Sequence, residues 1–179
     1  PKVIYDLPKR LLSKKKIALE IAKNLGFEAC HVLPKGSIDK DIFMTCAKVK
    51  KYYWRPDLSA WNHLINNDVE VLIEAAKFKL EYFSSLPGHL LDDKSFILNM
   101  FSDPKVIERL NQGNYWGSCL KHLTNKLKNE KEIVSLFTES KDLRYWSKKF
   151  CKEKKLLLKV LKSSGWDSEF DEFIHPELR

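Results

Sequence analysis

Five histidines and four cysteines are the residues of this 179-residue chain with the most obvious chemical capacity. Cys119 and His122 stand three apart, which puts them on one face of a helix, while Cys30 adjoins His31 and helical neighbours point about 100° apart. A zinc site draws four such ligands together, usually from short-spaced pairs, and the sequence offers no second pair. No metal is therefore expected; the plain reading is a core Cys119 beside a surface His122. Cys30, Cys46, Cys119 and Cys151 are widely spaced and form no CxxC, so they are expected as reduced thiols filling the core, which points to a cytoplasmic location.

Acidic residues offer little more. Asp92-Asp93 could suggest acid/base work, but the pair falls where a helix begins, and capping accounts for it. Glu169, Asp171 and Glu172 read as a solvated acidic segment. No GxGxxG, GxxxxGK[ST] or HExxH occurs, and six glycines supply no phosphate cradle. Catalytic residues and cofactors are accordingly expected to be none, with an enzyme bearing a cryptic site kept as the most distant alternative.

Lysines beside aromatics are a stronger signal. Lys148, Lys149, Lys152, Lys155 and Lys159 form a dense basic run next to Tyr145, Trp146 and Phe150, and Lys48, Lys50 and Lys51 precede Tyr52-Tyr53-Trp54-Arg55. Lysine neutralises phosphate and aromatic rings stack on unpaired bases, the combination a single-strand binder uses. Against this, the aromatics near 145–150 hold interior positions of an expected helix, and arginine, the better phosphate fork, is scarce among the 32 basic residues. Tyr52, Tyr53 and Trp54 are consecutive and cannot all face inward, and Tyr115 and Trp116 lie between Gly113 and Gly117. Exposed aromatics of this kind anchor protein interfaces, so Tyr52, Tyr53, Trp54, Arg55, Tyr115 and Trp116 are the candidate partner-binding residues.

What must position these residues is a recurring phrase: a polar or charged residue, usually a lysine, one more residue, then an apolar run. It appears at Lys14-Lys15-Lys16-Ile17, Asp39-Lys40-Asp41-Ile42, Asp68-Val69-Glu70-Val71, Asp93-Lys94-Ser95-Phe96, Glu130-Lys131-Glu132-Ile133 and Glu153-Lys154-Lys155-Leu156. The starts lie 25, 29, 25, 37 and 23 residues apart, the length of two short helices with their turns. A unit that short cannot bury its own apolar face and must stack on neighbours. The expected fold is all-α, a solenoid-like stack of about six short helix-turn-helix units in one domain over residues 1–179, with an inserted helix in 103–118. The polar residue of each phrase would start its first helix, its lysine would face water, and its apolar run would make the stacking seam.

Local signals place the helix ends. Ser13, Ser37 or Asp39, Asn67, Asp92 and Ser118 are the expected caps, the fifth unit is expected to run from Asn129, Gly26 is a helix stop, and Asp103-Pro104 is a cap followed by a first-turn proline. A partner helix is expected to start near Pro56. Charge is uneven: residues 1–51 balance to +7, 52–118 to −3, 119–165 to +8 and 166–179 to −4. The acidic last segment could close the stack. No apolar run approaches the roughly 20 residues that cross a bilayer, and the first residues lack the apolar stretch of a secretory signal.

Leu80-Glu81-Tyr82-Phe83-Ser84 and Leu143-Arg144-Tyr145-Trp146-Ser147 are near copies, 12 and 13 residues after their openings. An acidic residue, lysine and apolar run followed by Leu-x-Tyr-aromatic-Ser resembles a family of uncharacterised two-helix repeats found in effector-type proteins of intracellular bacteria and in some protists and large viruses. The likeness covers residues 68–161 and, loosely, 14–66. It implies a helical-repeat fold, an interaction role and, for an effector, delivery to a host cytosol. The expected function is a non-enzymatic protein-protein interaction module, an adaptor or effector-like domain; nucleic-acid binding through the lysine-rich faces is the alternative.

Overall fold

A computed structural model describes residues 7–49, 58–111, 116–137 and 145–164; side chains of 109–118 and 163–164 are not described. Every regular element among the described residues is helical and none is a strand. The first four α-helices are α1 (Lys9–Leu12), α2 (Lys15–Leu25), α3 (Lys40–Ala47) and α4 (Asn62–Ile65). They are followed by α5 (Val69–Phe78), α6 (Gly88–Leu91), α7 (Lys94–Phe101) and α8 (Pro104–Asn111). The last four are α9 (Trp116–His122), α10 (Asn125–Lys128), α11 (Lys131–Leu136) and α12 (Lys154–Ser164). Short 3-10 turns at Gly26–His31, Lys35–Ser37, Ser59–Trp61, Leu80–Ser85 and Phe150–Lys152 do much of the work expected of second helices. The chain divides into two compact units, residues 1–82 and 83–179, between the third and fourth openings.

In the first unit α2 packs on α3 and on the Gly26–His31 turn, and α3 packs on α5. The apolar runs put Ile42, Phe43, Ile65, Val71 and Ala75 out of solvent. Phe27 is the hub of an aromatic cluster: it meets Phe43, Trp61 and Phe78 edge-on, with ring centroids 5.3, 6.0 and 5.0 Å away. Edge-to-face rings add to the burial energy because the positive edge of one faces the negative face of the other. Gly26 ends α2 at φ +58°, a conformation that side chains rarely adopt, and its N–H closes on the Ala22 carbonyl.

In the second unit α7 packs on α6, α8 and α11, and α12 packs on the Phe150–Lys152 turn. Phe101 stands between Phe83 and Phe137, at 5.6 and 4.8 Å. Ile97, Val106, Leu120, Leu127, Ile133, Val134 and Phe150 complete the buried set.

Most caps sit one residue later than local pattern suggests, and each shift has a cause. Ser13 does not open α2: it closes α1 with helical angles, its hydroxyl donates to the Lys9 carbonyl, and Lys14 stands at the start of α2. Asn67 donates its amide to His63, leaving the extended Asp68 to accept from Glu70 and Val71 N–H. Asp92 has helical angles at the end of α6 and accepts from the Thr124 hydroxyl at 2.7 Å, so Asp93 caps α7 through Ser95 and Phe96 N–H. Asn129 closes α10, a helix with no counterpart among the expected ones, and Glu130 takes the cap position of α11. Ser118 lies inside α9, not before it, and Trp116 opens that helix instead of belonging to a loop. Asp39 caps α3 as expected, and Asp103 accepts from Lys105 N–H ahead of Pro104. The start expected near Pro56 lies outside the described residues.

Candidate functional site

The opening lysines do not simply face water. Lys15, Lys40, Lys94 and Lys131 each occupy the first position of a helix, where a cation is disfavoured by the partial positive charge of the free N–H groups. Each is compensated by the cap carboxylate of the following opening, and the first three also by the acid two residues beyond it. Lys15 binds Asp39 and, at 2.9 Å, Asp41. Lys40 binds Asp68 at 3.0 Å and Glu70 at 2.6 Å. In the second unit Lys94 binds Glu130 at 2.9 Å and Glu132 at 2.7 Å, and Lys131 binds Glu153 at 2.6 Å. Lys131 has one partner because the position after next is Lys155. Within each unit the N-termini of successive first helices therefore lie side by side, tied by one repeated ion pair.

These pairs leave an electrostatic imprint. Burial pulls the Lys15 ammonium down, but its hydrogen bonds to Asp39 and Asp41 outweigh this and leave it above the usual lysine value. Hydrogen bonds to Glu70 and Asp68 raise Lys40, and those to Glu132 and Glu130 raise Lys94. On the acid side, burial would raise Asp39, yet Lys15 and the Ile42 N–H hold it below the usual range. Lys40 lowers Asp68 and Lys94 lowers Glu130.

The pattern also shows where it stops. Val69 stands at the first position of α5 and Ser95 two residues past the Asp93 cap, so the lysine of one opening and the second acid of the next are missing together. At the first opening, Lys14 and Lys16 replace both acids.

Of the candidate partner-binding residues, Tyr52, Tyr53, Trp54, Arg55 and Tyr115 lie outside the described residues, and Trp116 is described only as the first residue of α9. The basic candidates are all placed: Lys148, Lys149, Lys152, Lys155 and Lys159 are exposed, around the turn before α12 and along that helix. Trp146 and Phe150 are turned into the core, 6% and 0% exposed, and Lys149 lies 5.3 Å over the Phe150 ring. The lysines thus form a charged surface without those two rings as stacking platforms.

Cys46 and Cys119 are buried and Cys30 and Cys151 half-buried, all as free thiols. Burial, with Cys30 close by, pushes Cys46 up to about 12, which suppresses the nucleophilic thiolate. Burial and the neighbouring Lys121 and Lys128 lower His122. Among the described residues no three His, Cys, Asp or Glu side chains converge as a metal site would need, and no helix is long and apolar enough to cross a membrane. A shallow groove of about 310 Å³ runs along α2, lined by Lys16, Ile17, Glu20, Ile21 and Asn24. It holds no cysteine, serine or histidine. Comparison with protein-family models, curated proteins and solved structures finds no match.

Lys15, Lys40, Lys94 and Lys131 are the residues that sequence reasoning undervalued. Their signal was present: a lysine at the first position of a helix breaks the local charge rule, and a repeated violation implies a partner elsewhere.

Proposed function

We propose that the protein is a non-enzymatic, protein-binding module built from helical repeat units, an adaptor or a domain of an effector-like protein working in a reducing cytosol, its own or a host's. The observation that carries this reading is the ion pair repeated from opening to opening, because units joined by one recurring contact are what interaction arrays are made of. The two-helix repeat resemblance supports it. A pull-down from cell lysate, with and without nuclease, tests it: a protein partner retained after nuclease treatment is the expected result, and a catch that vanishes with nuclease overturns it.

The second reading is nucleic-acid binding, favoured by the exposure of Lys148, Lys149, Lys152, Lys155 and Lys159. Phosphate-driven binding releases counterions, so affinity for a single-stranded oligonucleotide would fall by orders of magnitude between roughly 50 and 200 mM salt. A salt-independent or undetectable signal excludes it.

A further inference from the structure

The last opening repeats the lysine but gives it no acid among the described residues. Lys154 occupies the first position of α12, as Lys15, Lys40, Lys94 and Lys131 do in theirs, and among the described residues it has no carboxylate partner. A second, independent difference lies one turn along the same face. The residue four places after each paired lysine is half-buried in Leu19, Met44, Leu98 and Ser135, whereas Leu158 is 44% exposed. A charge that is paired in four other openings and a leucine left in water share one stripe of α12.

We propose that the Lys154–Leu158 stripe is a docking surface for a polypeptide helix opening of the form acid-x-acid-apolar, supplied by another chain. The chemistry of the occupant is that of the internal partners: Asp39-Lys40-Asp41-Ile42, Asp68-Val69-Glu70-Val71 and Glu130-Lys131-Glu132-Ile133 each give a lysine two carboxylates and follow them with an apolar residue. A second copy of this chain is a poor occupant. Its three such openings are already taken by Lys15, Lys40 and Lys94, and its first opening would set Lys14 and Lys16 against Lys154. Asp167-Ser168-Glu169-Phe170 has the right form but starts 14 residues after Glu153, whereas joined openings lie 23 to 37 apart. This inference rests on the protein-binding reading and gives it a place and a partner chemistry.

The probe is a fluorescein-labelled peptide of residues 66–79, which carries Asp68-Val69-Glu70-Val71 and no lysine at the helix start. Anisotropy should rise on titration with the full chain, Lys154→Glu should weaken binding about tenfold, and Lys159→Glu should change it by less than about twofold. A peptide with Asp68→Lys and Glu70→Lys should in turn prefer the Lys154→Glu chain, which guards against a merely unfolded variant. No binding to the unaltered chain, equal loss with both lysine variants, or binding that appears only after residues 166–179 are removed would each overturn the proposal. The lysate pull-down can succeed whatever this peptide does, so the two readings fail separately.

Discussion

The two units solve the same problem and end differently. Each ties three successive first helices by two lysine-to-carboxylate steps, Lys15 to Asp39 then Lys40 to Asp68 in one, and Lys94 to Glu130 then Lys131 to Glu153 in the other. In the first unit the series ends at Val69, a residue that can receive nothing and offer no charge. In the second it ends at Lys154, a residue that can. The comparison teaches that the lysine is a connector as opposed to a solubilising charge: each of the four paired lysines reaches the cap acid of the following opening in its own unit.

The largest expected effect separates the units through their cores. Phe43→Ala and Phe137→Ala each remove a fully buried ring and should cost about 3–5 kcal/mol, by thermal or denaturant unfolding. Hydrogen exchange should then speed up first in α2, α3 and α5 for Phe43→Ala and in α7 and α11 for Phe137→Ala. Equal acceleration in all five helices would remove the division into units.

Acid should strain both series together. Asp39, Asp68 and Glu130 have pKa values below their ordinary 3.8, 3.8 and 4.5, so the folded state binds their protons less readily than the unfolded chain. Their contribution is complete above about pH 4.5 and is lost as pH falls through the lowered values. Lys15, Lys40 and Lys94 are raised above 10.5, so theirs is complete below that value and is lost as pH rises through the raised ones. Circular-dichroism melts should show a plateau between these limits, with an acid limb that flattens in a chain carrying Asp39→Asn, Asp68→Asn and Glu130→Gln.

A smaller effect distinguishes connector from cap. Asparagine caps a helix nearly as well as aspartate but cannot hold a lysine. Asp93→Asn should therefore leave stability unchanged, whereas Asp39→Asn should lose a fraction of a kcal/mol, under about 1, and only while Lys15 is present. A double-mutant cycle with Lys15→Met reads the coupling. Smallest of all, Val69→Lys, at a site 47% exposed, should shift stability by no more than about 0.5 kcal/mol.

Much of the architecture was legible residue by residue. The apolar runs of the six openings became the buried faces of α2, α3, α5, α7, α11 and α12, because a 3.6-residue stripe of large side chains has no other use in water. Gly26, Asp39 and Asp103-Pro104 acted as their chemistry dictates. Trp146 and Phe150 went inside, as their positions suggested over any stacking role. The caps at Asn67 and Asp92 were misread by one residue because two neighbouring polar residues can each cap, and only the backbone angles of the folded chain choose between them.

The sequence alone determined that the segment after each opening is helical and which of its faces is buried, since both follow from local propensity and periodicity. Only the tertiary structure decided what the opening lysines are for. A lysine and its carboxylate partners lie 22 to 38 residues apart along the chain, and no local rule links them. Their pairing exists because folding brings the N-termini of successive first helices together within each unit, where a cation at the first position is disfavoured and an acid from the following opening offsets it. The same tertiary placement leaves Lys154 without a carboxylate partner among the described residues and Leu158, one turn along, 44% exposed.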